Sequence, residues 1–221
     1  MNYVENWNNW LKNLNSFSKN IENKDWFIDF ELEIIKPIEL KKIQEIENNK
    51  KIKLPSDFIY LLNSCASEVY FSWSIPPNYN YNNEIKVYGG GGDFLWNINS
   101  ILEKDFYYDN FVITKDVKER KIWENKIPFI EIGNGDLIAF DYSSKKDNYP
   151  IVYLSMDCMG LLHGKILEEN IIDFFDVWTF IGCVGPESNA LEQFYDFRKG
   201  KLFDKNNLLV KKWLNFIENN K

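Results

Sequence analysis

Val4, Trp7, Trp10, Leu11, Leu14 and Phe17 recur at three- and four-residue spacing. That spacing places one apolar stripe along a helix, so the first element is an amphipathic helix. Residues 26–35 alternate less regularly and fit either a short helix or a strand. Ile38, Leu40, Ile43 and Ile46 mark a second helix, with Pro37 suited to its first turn. Leu54 precedes Pro55 and is therefore extended. Residues 56–64 form a short helix with Phe58, Leu61 and Leu62 on one face.

The period then changes. EVYFSWSI, residues 68–75, is aromatic and β-branched and reads as a strand. Residues 76–83 form a loop rich in Pro, Asn and Tyr. Four consecutive glycines, Gly89 to Gly92, form a second loop ahead of Asp93 and another aromatic strand. Residues 99–109 read as helical with Asn99 or Ser100 as cap, and residues 111–114 as a further strand.

IPFIEIGNGDLIAFDY, residues 127–142, sets two apolar runs about Gly133-Asn134-Gly135-Asp136. Asn-Gly fits a two-residue hairpin turn in which both residues take positive φ. That register sets Ile132 opposite Leu137, Ile130 opposite Ala139 and Phe129 opposite Phe140. Both faces of the hairpin are then apolar, so it is a central pair covered on both sides. Residues 151–157 supply the next strand and residues 161–163 a short one. Residues 168–183 form a strongly amphipathic helix that ends before Gly185-Pro186, and helices follow at 190–197 and 206–218. The fold class is α+β: helices, an antiparallel sheet, then helices.

The chain has 221 residues, enough for one large domain that needs neither disulfide nor metal to hold it. Its net charge of −7 repels a polyanion and argues against nucleic acid as a ligand. A basic protein partner would be attracted, although acidity also serves solubility alone. The three cysteines, Cys65, Cys158 and Cys183, lack paired spacing and point to a reducing compartment. The first residues carry neither a basic region nor an apolar run of a secretory signal, and no window of 18 uncharged apolar residues exists. A cytoplasmic protein is expected.

Candidate chemistry is sparse. His163 is the one histidine, so Ser–His or Cys–His catalysis would have to pass through it, and a zinc site would have to gather scattered ligands. The glycine run lacks the pattern of a phosphate loop, and Asp93 would repel phosphate. Asp136 is a single carboxylate where calcium needs six to eight oxygens. Neither loop reads as a site. No catalytic residue, metal or cofactor is expected.

The order of the signals carries more. Leu54-Pro55-Ser56-Asp57-Phe58 opens a helix that leads into a strand. A glycine-rich segment follows, then Ile127-Pro128-Phe129, the Gly133-Asn134-Gly135-Asp136 turn, Phe140-Asp141, residues 151–154 and a closing helix. This series resembles the SUKH superfamily, named partly for a fungal cell-wall assembly regulator, over residues 37–181. The resemblance implies a bent antiparallel sheet flanked by helices, within a single domain spanning residues 1–221. An N-terminal helical region, 1–36, and a C-terminal helical extension, 187–221, flank that core. It carries no catalytic residues; Leu54, Pro55, Phe58, Gly133, Gly135 and Asp136 match as structural positions. It implies an immunity protein that neutralises a toxin, for instance a nuclease, by direct binding, or alternatively a regulatory interaction module; an enzyme ranks third. The partner is expected at loops and aromatics that serve least as core: Trp73, Tyr79, Tyr81, Glu84, Tyr88 and Asp93.

Overall fold

The computed structural model describes residues 2–22, 24, 26–76, 87, 89–112, 115–143 and 148–219. Helix α1 (Tyr3–Glu22) buries Trp10, Leu14, Phe17 and Ile21; Trp7 and Leu11 of the expected stripe are half-buried and Val4 is exposed. Its N-terminal half is fastened by two hydrogen bonds: Tyr3 donates its hydroxyl to Asp57 at 2.5 Å, and the Trp10 indole N–H donates to Asp176 at 2.6 Å. Strand β1 (Phe27–Ile35) decides its segment as strand, so the N-terminal region 1–36 is helical only as far as Glu22, contrary to expectation. Helix α2 (Leu40–Lys50) begins three residues after Pro37, which is outside its first turn. The reason is local: the Ile38 N–H donates to the Leu62 carbonyl, so this stretch is held extended. Helix α3 (Ser56–Tyr60) follows Pro55 and widens into a π-turn over Leu61–Cys65.

Strands β2 (Glu68–Ser74) and β3 (Gly90–Asn97) join β1 in a three-stranded antiparallel meander, order β1-β2-β3. The glycines Gly90 to Gly92 are therefore strand rather than loop. They are required by close approach on both sides. A Cβ at Gly91 would meet the Cys183 carbonyl at 2.5 Å, and one at Gly92 would collide with the Phe71 carbonyl. The Gly92 N–H donates to Cys183 O and the Gly185 N–H to Gly90 O, so residues 183–185 clamp this strand.

Helix α4 (Ile98–Leu102) is capped by Asn97, which accepts from the Asn99 N–H, two residues ahead of the expected cap. Helix α5 (Lys104–Tyr107) runs into a second π-turn (Tyr108–Val112) in place of the start of the expected strand; residues 113–114 are outside the described residues. Helix α6 (Val117–Trp123), capped by Asp116, was not anticipated.

Strands β4 (Lys126–Glu131), β5 (Leu137–Asp141), β6 (Ile151–Leu154) and β7 (Ile166–Glu168) form a four-stranded antiparallel meander. The sheet region is thus two meanders, α+β as expected. The short strand lies at Ile166–Glu168, and residues 161–164 are a turn. The β4–β5 hairpin slips by one residue at its tip: Glu131 faces Leu137, and the Ile132 N–H donates to the Asp136 carbonyl. Gly135 alone takes positive φ (89°), and its N–H donates to Ile132 O. The loop is the three-residue kind, a turn followed by a left-handed glycine. A bulge between Pro128 and Ile130 shifts the base further. The hairpin is nonetheless covered on both faces. Phe129, Ile130, Ile138 and Phe140 join the main core, while Leu137 and Ala139 join a smaller cluster with Tyr107, Val112, Trp123, Val152 and Leu154.

Helix α7 (Ile171–Trp178) is capped by Asn170. After Pro186 come a short helix α8 (Ser188–Leu191), a 3-10 turn (Glu192–Phe194), the two-residue pair β8 (Tyr195–Asp196) and β9 (Lys201–Leu202), and helix α9 (Leu208–Asn219). Val210, Trp213, Phe216 and Ile217 of α9 share one hydrophobic cluster with Trp10 and Phe17 of α1 and with Phe58, Phe129 and Phe175. Both flanking regions therefore build the same core as residues 37–181.

Candidate functional site: an acidic aromatic sheet face

Alternation decides which residues of the first meander look outward. On β2, Val69, Phe71 and Trp73 are buried, so Glu68, Tyr70, Ser72 and Ser74 lie on the opposite face. Their cross-strand partners share that face: Ile35, Glu33, Phe30 and Phe27 on β1, and Asn97, Phe94, Gly92 and Gly90 on β3. Phe30, Tyr70 and Phe94 form an aromatic row across all three strands. Their ring centroids are 4.8 Å and 4.5 Å apart, both edge-to-face. Phe27 and Phe30 are 55% and 54% exposed, unusual for phenylalanine.

The same three strands carry Asp29, Glu31, Glu33, Glu68 and Asp93, and neither Lys nor Arg. Asp93 takes φ 136° and accepts from the Phe94 N–H at 2.9 Å. Burial raises its pKa; the Phe94 N–H and the Tyr70 hydroxyl oppose that rise, and the Glu131 charge adds to it. Burial and the Asp93 charge likewise raise the pKa of Tyr70. Beside this row a cleft of 270 Å³ is lined by Tyr70, Ser72, Asp93, the strand glycines and Glu187. Exposed rings among carboxylates favour a cationic surface through both charge and cation–π contact.

The residues expected to meet a partner divide. Asp93 pairs in register with the inward Phe71, yet its carboxylate meets the Tyr70 hydroxyl and so is at the border of this face. Trp73 is not on the face: it is buried, its indole N–H donates to the Gly182 carbonyl at 2.7 Å, and it stacks on Trp26 at 5.5 Å with 8° between planes. Its parity with Val69 and Phe71 places it inward, and no docking role is retained for it. Tyr79, Tyr81, Glu84 and Tyr88 lie outside the described residues. Phe27, Phe30, Tyr70 and Phe94 were missed; the carboxylates at every second position, 29, 31 and 33, were the available signal for β1.

The other concentration of titratable groups surrounds His163. Ligand atoms of Glu119, Cys158 and His163 lie within 4.8 Å of one another and could hold a metal by number. The hydrogen bonds argue otherwise. His163 Nδ1 accepts the Ser155 N–H at 2.9 Å, so a neutral ring carries its proton on Nε2 and donates it to Glu119 at 2.6 Å. A metal-bound histidine presents the reverse arrangement, donating through its other nitrogen. Lys115 adds an ammonium 2.7 Å from the Cys158 sulfur. Burial raises the Cys158 pKa against the opposing effect of Lys115, so the thiol is protonated near neutrality and is a poor nucleophile. Hydrogen bonds from Cys158, His163 and Trp123 outweigh burial at Glu119 and lower its pKa. The group is suited to tying α6 to the turn after β6.

The Gly133-Asn134-Gly135-Asp136 loop is likewise structural. The buried Asp136 carboxylate accepts from the Tyr153 hydroxyl at 2.6 Å, the Met156 N–H at 2.9 Å and the Asn134 amide at 3.0 Å. These three donors give the carboxylate a structural role.

The family model of the SMI1 / KNR4 family (SUKH-1) matches residues 37–179, more than half of the chain. The chain belongs to this family. SUKH domains include toxin immunity proteins and fungal regulators and are generally non-catalytic modules. The matched span includes the acidic face except β1, together with the Asp136 hub and the His163 group, and ends near the close of α7. Strand β1, with Phe27 and Phe30, precedes it. No curated protein matches the chain. No helix among the described residues is long and apolar enough to cross a membrane.

Proposed function

We propose that this SUKH protein is a cytoplasmic immunity protein that neutralises a toxin by stoichiometric binding. The observation that supports the reading most is the outward face of β1-β2-β3, with exposed Phe27 and Phe30, on strands that carry five carboxylates and no basic residue. A nuclease effector binds a polyanion and is itself basic, so an acidic protein competes for that surface and is steered towards it. Neutralisation then needs occlusion, not chemistry. Tyr79, Tyr81, Glu84 and Tyr88, which lie between β2 and β3 in the sequence, are proposed as further partner contacts together with Asp93.

Co-expression tests the reading. A toxin effector domain, where one is encoded beside this gene, should arrest growth alone and lose that effect when this chain is present. His163→Ala, if folded, should protect as well as wild type. Arrest that persists in the presence of folded protein would leave the regulatory-module reading in its place.

A further inference from the structure

Strand β1 ends its sheet. The order is β1-β2-β3, and among the described residues no strand pairs with the outer side of β1. A nine-residue edge offers unpaired backbone donors and acceptors to another chain. Natural edges are guarded, and this one has two guards. Register irregularities interrupt its pairing with β2 between Ile28 and Phe30 and between Phe30 and Glu33. Asp29, Glu31 and Glu33, every second residue, are exposed carboxylates.

The second guard is selective by sign. A second copy of this strand would set carboxylate against carboxylate, and like charges opposite each other in a pair are destabilising. A strand carrying Lys or Arg would instead bring opposite charge to Asp29, Glu31 and Glu33. Phe27 and Phe30 would supply apolar contact on the same strand, and anchors of this kind carry most of an interface's energy. Steric bulges make regular self-association harder still, while a short heterologous pairing of three or four residues needs only one unbulged stretch. Glu33, Ile34 and Ile35 provide it, facing Tyr70, Val69 and Glu68 in unbroken register.

We propose that the toxin partner adds an extended basic segment to the free edge of β1, lengthening the first meander to four strands. This rests on the immunity reading and specifies its mode: backbone pairing along residues 33–35, ion pairs to Asp29, Glu31 and Glu33, and ring contacts to Phe27 and Phe30. The carboxylates then keep the protein from pairing with itself and choose a partner of opposite charge.

Amide hydrogen exchange on the full chain, with and without the effector domain encoded beside the gene, tests the mode. Slowed exchange at β1 amides on the edge side is the expected result. The triple variant Asp29→Lys/Glu31→Lys/Glu33→Lys should keep its fold and lose about tenfold or more in effector affinity. A complex that forms without protecting β1, or that the triple variant binds equally well, overturns strand addition while leaving immunity by binding intact. Failure of the wild-type chain to bind the effector at all overturns both.

Discussion

Tyr153 donates its hydroxyl proton to Asp136 at 2.6 Å, across two strands of the second meander. The turn at Gly133-Asn134-Gly135 is thereby anchored to β6, because the same carboxylate also holds the Met156 N–H. Asp136→Ala leaves a buried hydroxyl and a backbone N–H without their acceptor, at about 1–3 kcal/mol each. Gly135→Val forces a β-branched residue to φ 89°, with strain of about 1–3 kcal/mol. Urea titration should show both losses, and an unchanged midpoint for either would mean that the turn is not held in this way.

Trp73 is core and not surface. Trp73→Ala removes a stack on Trp26, contact with Phe17 and the indole bond to Gly182, and should cost about 3–5 kcal/mol. Phe30→Ala, at an exposed ring on the same sheet, should shift stability by less than about 1 kcal/mol. Thermal melts of the two variants compare them directly.

Glu168 gives a pH dependence of definite sign. Burial lifts its carboxyl from 4.5 to about 7; Lys201, 3.6 Å away, opposes the shift and Asp173 adds to it. The folded state therefore holds a proton that the unfolded chain has released, so this group's contribution falls as pH rises from about 4.5 to about 7. Glu168→Gln is neutral throughout. It should flatten that decline and gain on wild type at pH 8 while changing little at pH 4.5, as read from denaturation midpoints.

We propose that residues 1–36 and 187–221 fold with the family core as one domain. Trp213 stacks with Trp73 at 6.3 Å and its indole N–H donates to Ile181 O at 3.0 Å. Deleting residues 187–221 strips this cover from Trp26 and Trp73, and the shortened chain should lose its cooperative melt. A truncated protein that still melts cooperatively at the original temperature would show the extension to be separate.

Elements with a clean period were legible. The helical spacing of α1 and α7 and the aromatic, β-branched content of β2 were enough for the α+β class, but placing Trp73 outward missed the parity of β2 that turns it inward. The rest turned on tertiary contacts. Pro37 lies outside α2 because Leu62 holds Ile38, and the glycines are strand because residues 183–185 clamp them. The hairpin tip differs from the expected register because its loop has three residues, with Gly135 alone at positive φ and Ile132 N–H closing on the Asp136 carbonyl. For the candidate site, the sequence pointed to Asp93 with Glu84, which lies outside the described residues, and did not single out Asp29, Glu31, Glu33 or Glu68. The exposed rings of β1 were not legible, because two bulges break its alternation and hide the strand's faces.

Binding of a basic protein on the acidic aromatic face of the first meander is open to calorimetric titration, with an effector domain from the neighbouring gene added to wild type and to folded Phe30→Ala/Glu33→Lys. One-to-one binding is expected for wild type, weakened by added salt. The variant should lose more than about 1 kcal/mol. Wild-type affinity in the variant, with no salt dependence in either, would rule this face out as the docking surface.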